Sequence, residues 1–173
     1  KVFRNNINTK IIAITGSCGK TTLKELLGKT LKKISKVSTS PKSYNNKYGV
    51  PLSLFNLNQN DDYGVLEVGM DKKGEIDYLS KIIKPDVSVI TNINYAHVKN
   101  FKNINQIALA KSEIINNTRT NGFVILNADD NFFKFHKNLA HKRHLQVVSF
   151  GIKSQKADIK LISINKEGKK FKL

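Results

Sequence analysis

Cysteine is nearly absent from this chain. Its 173 residues include one, Cys18, so no internal disulfide can form. A lone thiol fits a reducing compartment. Long hydrophobic runs are missing too. No apolar stretch approaches the roughly 20 residues of a membrane helix, and no signal-peptide pattern is visible. Internal repeats and low-complexity linkers are also absent. Acidic residues are scarce: 13 Asp and Glu stand against 30 Lys and Arg, a formal net charge of +17. Such an excess favours anionic partners such as nucleotides, nucleic acid or an acidic membrane surface. The lysines are scattered rather than gathered in a tail or on one helix face. Asn is abundant as well, and codon bias in an A/T-rich genome accounts for both trends. Nucleic acid is therefore not an expected partner, and neither is membrane insertion. The chain lacks an initiator Met and closes on Lys169-Lys170-Phe171-Lys172-Leu173. It reads as a piece of a longer protein.

What is present suits one globular domain with a real core, since hydrophobic residues make up 39% of the chain. Apolar runs at Lys10–Thr15, Tyr63–Val68, Val87–Thr91, Phe123–Leu126 and Gln146–Phe150 read as strands, with a shorter one at Lys36–Ser38. Their near-continuous apolar character predicts burial on both faces. Helical stripes lie between them. The first is Leu23, Leu26, Leu27, Leu31 and Ile34; the second is Ile76, Leu79, Ile82 and Ile83, stopped by Pro85. A third is Ile104, Ile107, Ala108, Ile114 and Ile115, and a fourth covers about residues 131–140. The alternation predicts an α/β fold with a mainly parallel sheet flanked by helices. Residues 157–173 are expected to add a strand or hairpin.

The segment Thr15-Gly16-Ser17-Cys18-Gly19-Lys20-Thr21-Thr22 follows the first strand and precedes the first helix. That is the context in which glycines let backbone N–H groups close around phosphate oxygens, a lysine adds charge and a threonine hydroxyl holds Mg²⁺. The match to G-x-x-x-x-G-K-[ST] is incomplete, because Ile14 stands at the first glycine. The bland alternative is a glycine turn that merely starts a helix. It leaves the order Gly, Lys, Thr directly after a strand unexplained.

Ligands of an open parallel sheet bind beyond the carboxyl ends of its strands. Three further residues point there. Glu67 sits near the end of an apolar strand, where a carboxylate is costly without a partner such as phosphate-bound Mg²⁺. An edge-strand glutamate facing water is its bland reading. His97 follows the Val87–Thr91 strand on a loop at the same edge, and unaided it reads as simply exposed. Lys111 falls on the apolar stripe of the third helix, so it must snorkel, pair with Glu113 or Glu67, or lose its proton. A neutral buried amine can add CO₂ to form a carbamate, an anion able to bind Mg²⁺. Spacing alone favours snorkelling or the ion pair.

Several segments together resemble the central, ATP-binding domain of the Mur ligases of peptidoglycan synthesis. They are the phosphate loop, Asn45-Asn46-Lys47-Tyr48-Gly49-Val50-Pro51-Leu52, Glu67-Val68-Gly69-Met70, Gly74-Glu75-Ile76, Ile90-Thr91-Asn92-Ile93, Ala96-His97, Ala110-Lys111-Ser112-Glu113-Ile114 and Leu126-Asn127-Ala128-Asp129-Asp130. They occur in family order over about residues 10–150. The resemblance implies a P-loop NTPase-like central domain spanning residues 1–173, without the amino-terminal domain that holds the UDP end or the carboxyl-terminal domain that closes over ATP. It implies a phosphate cradle of Gly16, Ser17, Cys18, Gly19, Lys20, Thr21 and Thr22, with Lys20 on the ATP phosphates. It implies two Mg²⁺ ions, one on Thr21 and Glu67, the other on His97 and a carbamylated Lys111. Asn46 is expected to position the γ-phosphate and Asn127 to lie near the adenosine. Cys18 stands where the family more often has Ser or Asn, and Tyr95 where it is often acidic.

Within the family, the Asn-Asn-x-x-Gly-Val-Pro-Leu and Glu-x-Gly-Met segments look most like the member that acts last in the cytoplasm. That likeness implies a bacterial cytoplasmic ligase. ATP phosphorylates the terminal carboxylate of UDP-MurNAc-tripeptide, and the amine of D-alanyl-D-alanine attacks the acyl phosphate. A monomer is expected, and the isolated domain is expected to be inactive. Another Mur ligase, a folylpolyglutamate synthetase-like ligase and a nucleic-acid-stimulated ATPase remain as alternatives.

Overall fold

The computed structural model describes residues 2–95, 100–163, 165–167 and 170–172. Seven strands among them form one parallel sheet: β1 (Lys10–Thr15), β2 (Val37–Thr39), β3 (Tyr63–Glu67), β4 (Val87–Ile90), β5 (Phe123–Asn127), β6 (Gln146–Gly151) and β7 (Ile159–Lys160). Their order is β2-β3-β1-β4-β5-β6-β7. A separate antiparallel pair joins β8 (Asn165–Glu167) to β9 (Lys170–Lys172). The helices are α1 (Val2–Asn5), α2 (Lys20–Leu31), α3 (Gly49–Phe55), α4 (Glu75–Ile83), α5 (Ile104–Asn116) and α6 (Phe133–Lys142). The six strands expected from apolar runs lie within one residue of these bounds, and the described residues beyond 157 supply β7 and the antiparallel pair β8–β9.

Alternation along β1 divides the core. Ile11 and Ala13 face a large cluster with Val50 and Leu54 of α3, Ile76, Leu79 and Ile83 of α4, Ile107 and Ile114 of α5, and Ala140 of α6. Ile12 and Ile14 face the other side, where Leu23, Leu27 and Leu31 of α2 pack against them. Four helices thus cover one face and α2 covers part of the other. Local signals set the helix ends. Asn103 caps α5 by accepting from Gln106 N at 3.0 Å, while the Gln106 side chain accepts from Lys102 N at 2.9 Å. Lys84 closes α4 in a left-handed conformation just before Pro85.

The first helix departs from its expected stripe. Leu26 and Ile34 are exposed, whereas Lys24 and Gly28 are buried. A Cβ on Gly28 would lie 2.4 Å from Thr39 Cγ2, so α2 approaches β2 through a residue without a side chain. That approach turns the face holding Lys24 and Gly28 inward and leaves Leu26 outside.

At the amino ends of the strands, Arg4 is fully buried. It donates to the Ile83 carbonyl at 2.6 Å and to Asp86 Oδ2 at 2.7 Å, and the same oxygen accepts from Ile11 N at 2.8 Å. One carboxylate therefore ties α1, β1 and the start of β4 together. Asp86→Ala is expected to destabilise the fold by about 3–5 kcal/mol, because it strands a buried guanidinium, and Arg4→Met by less. Denaturant unfolding of the two variants checks the order.

The topology places the site. From β1 the chain runs outward to β2, returns through β3, then crosses β1 to β4 and continues outward the other way. The connection from β1 leads one way along the sheet and that from its neighbour β4 the other, which opens a crevice at their carboxyl ends.

Candidate active site

The phosphate loop occupies that crevice. Gly16 has φ 144° and Gly19 has φ 81°, and α2 begins at Lys20 with Gly19 as its N-cap. Both values lie in the region open to glycine. A Cβ on Gly16 would fall 1.9 Å from Thr91 Oγ1. The loop is bound to the segment after β4. Ser17 N donates to Asn92 O at 2.9 Å and Cys18 N to Asn92 Oδ1 at 3.1 Å. Ser17 Oγ donates to Asn94 O at 2.8 Å, and Thr91 Oγ1 donates to Cys18 O at 2.7 Å. The free N–H groups at the start of α2 then face the crevice with the helix dipole behind them.

Lys20 folds back over this loop, its ammonium 3.0 Å from Gly16 O. Lys111 reaches the same carbonyl from α5, at 2.9 Å. Lys111 is 1% exposed. It neither snorkels nor pairs with an acid, against the expectation from spacing alone. Glu113 is occupied elsewhere, accepting from Gly74 N at 2.8 Å and Asp77 N at 3.0 Å to cap α4. Burial, reinforced by the neighbouring Lys20 ammonium, lowers the Lys111 pKa to about 7.

Glu67 ends β3 between β2 and β1 and is 1% exposed, so it is no edge residue. Its Oε2 accepts from Thr21 Oγ1 and its Oε1 from Asn45 Nδ2, both at 2.7 Å. These two donors are neutral. A buried carboxylate beside a hydroxyl, next to a phosphate cradle, is a hard-oxygen donor set that suits Mg²⁺. Among the described residues no three His, Cys, Asp or Glu side chains gather. A cation here would rest on Glu67, Thr21 and ligand oxygens. Next to this pair lies a cavity of ≈730 Å³, lined by Lys20, Asn45, Asn46, Tyr48, Lys72 and Tyr78 among others.

The remaining expected residues fall as follows. Asn46 borders the cavity, but its Oδ1 accepts from Tyr48 N and Gly49 N and so starts α3. Asn127 closes β5, with Oδ1 accepting from Asp129 N at 2.9 Å. Thr22 and Cys18 are exposed beside the loop. His97 lies outside the described residues. Sequence reasoning passed over Asn45, which touches Glu67, and the staple from Thr91, Asn92 and Asn94. It also missed Asp130, whose Oδ2 accepts from Ile93 N at 2.7 Å and so supports that staple.

A glycine-lysine-threonine loop at the switch point of a parallel sheet, with a hydroxyl–carboxylate pair beside it, defines a P-loop type of phosphate-binding α/β domain. Residues 14–173 match the Mur ligase middle domain, and the chain belongs to that family. A UDP-N-acetylmuramoyl-tripeptide–D-alanyl-D-alanine ligase of Buchnera aphidicola subsp. Baizongia pistaciae is 38% identical over 173 residues, 99% of this chain and 37% of the relative. The crystal structure of MurF from Acinetobacter baumannii superposes with a TM-score of 0.87 at 36% identity, over 94% of this chain and 35% of that one. The MurF ligase of Thermotoga maritima in complex with ADP gives 0.79 at 33% identity, over 88% of this chain and 35% of that one. The chain thus spans about a third of the length of these relatives. Among the described residues no helix is long and apolar enough to cross a membrane.

Proposed function

We propose that the complete protein is an ATP-dependent amide ligase of the bacterial cytoplasm. It joins D-alanyl-D-alanine to UDP-MurNAc-tripeptide through an acyl phosphate, and this chain supplies its ATP site. The observation that carries the reading is the meeting of Lys20 and Lys111 on the Gly16 carbonyl, with Thr21, the residue after Lys20, paired to the Glu67 carboxylate. The names of the relatives above support the choice of substrates. The full enzyme takes its substrate-binding and closing domains from outside this chain.

Both partners of the first step are anionic, a carboxylate and a triphosphate. Lys20 exchanges its loop carbonyls for phosphate oxygens and neutralises part of that repulsion. The N–H groups of the loop and the first turn of α2 orient the phosphates. Thr21 and Glu67 would hold one Mg²⁺, and His97 with a carbamylated Lys111 a second. When bound, the ions supply charge neutralisation on the transferring phosphoryl group. Lys111 can form the carbamate because its amine is neutral in about half of the molecules near pH 7. The nitrogen bonds to the CO₂ carbon and a proton leaves. Asn46 borders the cavity that would receive the acceptor carboxylate, and Asn127 would lie toward the adenosine.

Phosphate release by the complete ligase with Mg-ATP, UDP-MurNAc-tripeptide and D-alanyl-D-alanine, each omitted in turn, tests the reading. Release is expected to require all three. Release that ignores the dipeptide but follows another amine or a folate would retain the ATP site and replace the substrates.

A further inference from the structure

Helix α2 carries a second buried lysine that the proposed reaction does not use. Lys24 is fully buried one turn beyond Thr21. Its ammonium donates to the Ser40 carbonyl at 2.7 Å and to the Lys42 carbonyl, and it lies 3.1 Å from the half-exposed carboxylate of Glu25. A buried ammonium is costly unless it is paired and hydrogen-bonded. Here most of that pairing comes from the main chain of a single loop, residues 40–46.

That loop is held at both ends by the strand that ends in Glu67. At its start, Ser40 N donates to Val65 O at 2.9 Å, and Ser40 Oγ accepts from Glu67 N at 3.2 Å. Near its end, Asn45 donates from its amide to Glu67 Oε1, and its carbonyl accepts from Gly69 N at 2.7 Å. The middle is awkward. Lys42 has φ 44°, a left-handed conformation that non-glycine residues rarely adopt. The backbone of Tyr44 comes within 2.7 Å of where a Cβ on Gly49 would stand. Lys24 grips this awkward middle.

We propose that Lys24 is a positioning residue: it clamps loop 40–46 to α2 so that Asn45 holds the Glu67 carboxylate toward the divalent cation of a bound nucleotide. The inference rests on the reading of Thr21 and Glu67 as that cation's site. One helix then sets both donors, Thr21 directly and Glu67 through the loop. With a neutral side chain at position 24, the buried Ser40 carbonyl and the partly buried Lys42 carbonyl lose their donor and the left-handed turn loses its brace.

The test uses the complete ligase and calorimetric binding of a non-hydrolysable ATP analogue, with and without Mg²⁺. In Lys24→Met, binding without Mg²⁺ is expected within about twofold of wild type, because the segment after β4 holds the phosphate loop. The gain in affinity on adding Mg²⁺ is expected to fall about tenfold, as one buried hydrogen-bonding group is worth. Hydrogen exchange should quicken in residues 40–46 and stay unchanged in residues 16–22. Asn45→Ala should reproduce the Mg²⁺ effect with Lys24 intact, and the double variant should add nothing further. Lys24→Arg keeps the charge in a planar fork and should give a smaller effect in the same direction. An unchanged Mg²⁺ response in Lys24→Met, an equal loss with and without Mg²⁺, or additive effects in the double variant would each overturn the proposal. Should Lys24→Met fail to fold, an effect in Asn45→Ala with none in Lys24→Arg overturns it as well. If the wild-type ligase shows no Mg²⁺-dependent binding at all, the nucleotide-site reading fails, and this inference with it.

Discussion

Glu67→Gln is expected to slow phosphate release by the complete ligase at least about a thousandfold while leaving its Tm unchanged or slightly raised. Glutamine keeps the shape of the side chain. Its oxygen still accepts from Asn45, and the Thr21 hydroxyl can turn to accept from the new amide. What disappears is a buried negative charge whose two partners are neutral. Removing such a charge relieves a desolvation cost, so the fold should not suffer. The proposed cation would lose the buried carboxylate of β3, and charge neutralisation worth several kcal/mol would go with it. About 4 kcal/mol corresponds to three orders of magnitude in rate. Measuring Tm and turnover on one preparation separates the two effects. Half-normal turnover would remove Glu67 from the cation site, and a loss that tracks a large fall in Tm would make it a folding residue.

Lys111→Ala is expected to be equally inactive yet partly recoverable. Alanine leaves a gap behind Gly16 where the carbamate would stand, and formate or acetate is small enough to enter it. Added carboxylate should restore at least about tenfold of the lost rate, since it would return an anionic oxygen to the proposed second cation. The pH dependence has a definite sign. The Lys111 pKa is depressed from 10.5 to about 7, so the reactive neutral amine exists above about pH 7 rather than only above 10.5. From pH 6 to pH 8 that fraction rises from about 10% to about 90%. Uptake of CO₂ by stripped wild-type enzyme should accelerate about tenfold over that interval. A near-normal Lys111→Ala enzyme, or one that no carboxylate revives, would contradict the carbamate role.

The parts legible in the sequence share a cause. Strands buried on both faces must be apolar throughout, so β1 and β4 announce themselves. Lys111 was conspicuous because it interrupts an apolar stripe, and Glu67 because it ends an apolar strand. Helix α3 gave no such sign. Its seven residues include Pro51, which reads as a breaker but sits in the first turn, where a missing N–H costs nothing. The true inner face of α2 was hidden because it is marked by Lys24 and Gly28 rather than by leucines. The Arg4–Asp86 tie joins residues 82 apart, and the phosphate-loop staple joins residues about as distant. No local pattern encodes such a pairing, because each partner alone is an ordinary polar residue. Asn45 was within reach, in the same motif as Asn46, but only geometry shows which of the two amides meets the carboxylate.

The staple also bears on how the protein is made. Ser17 takes its partner from Asn94, 77 residues downstream, and Asp130 supports the segment between them. At about 5–20 residues per second, synthesis leaves the phosphate loop without its staple for about 4–15 s after it is translated. Through that interval Gly16 and Gly19 are free to wander and the cradle has no fixed shape. The phosphate loop thus leaves the ribosome well before the segment that fixes its shape, and nascent chains cut short before Asn94 should not capture nucleotide.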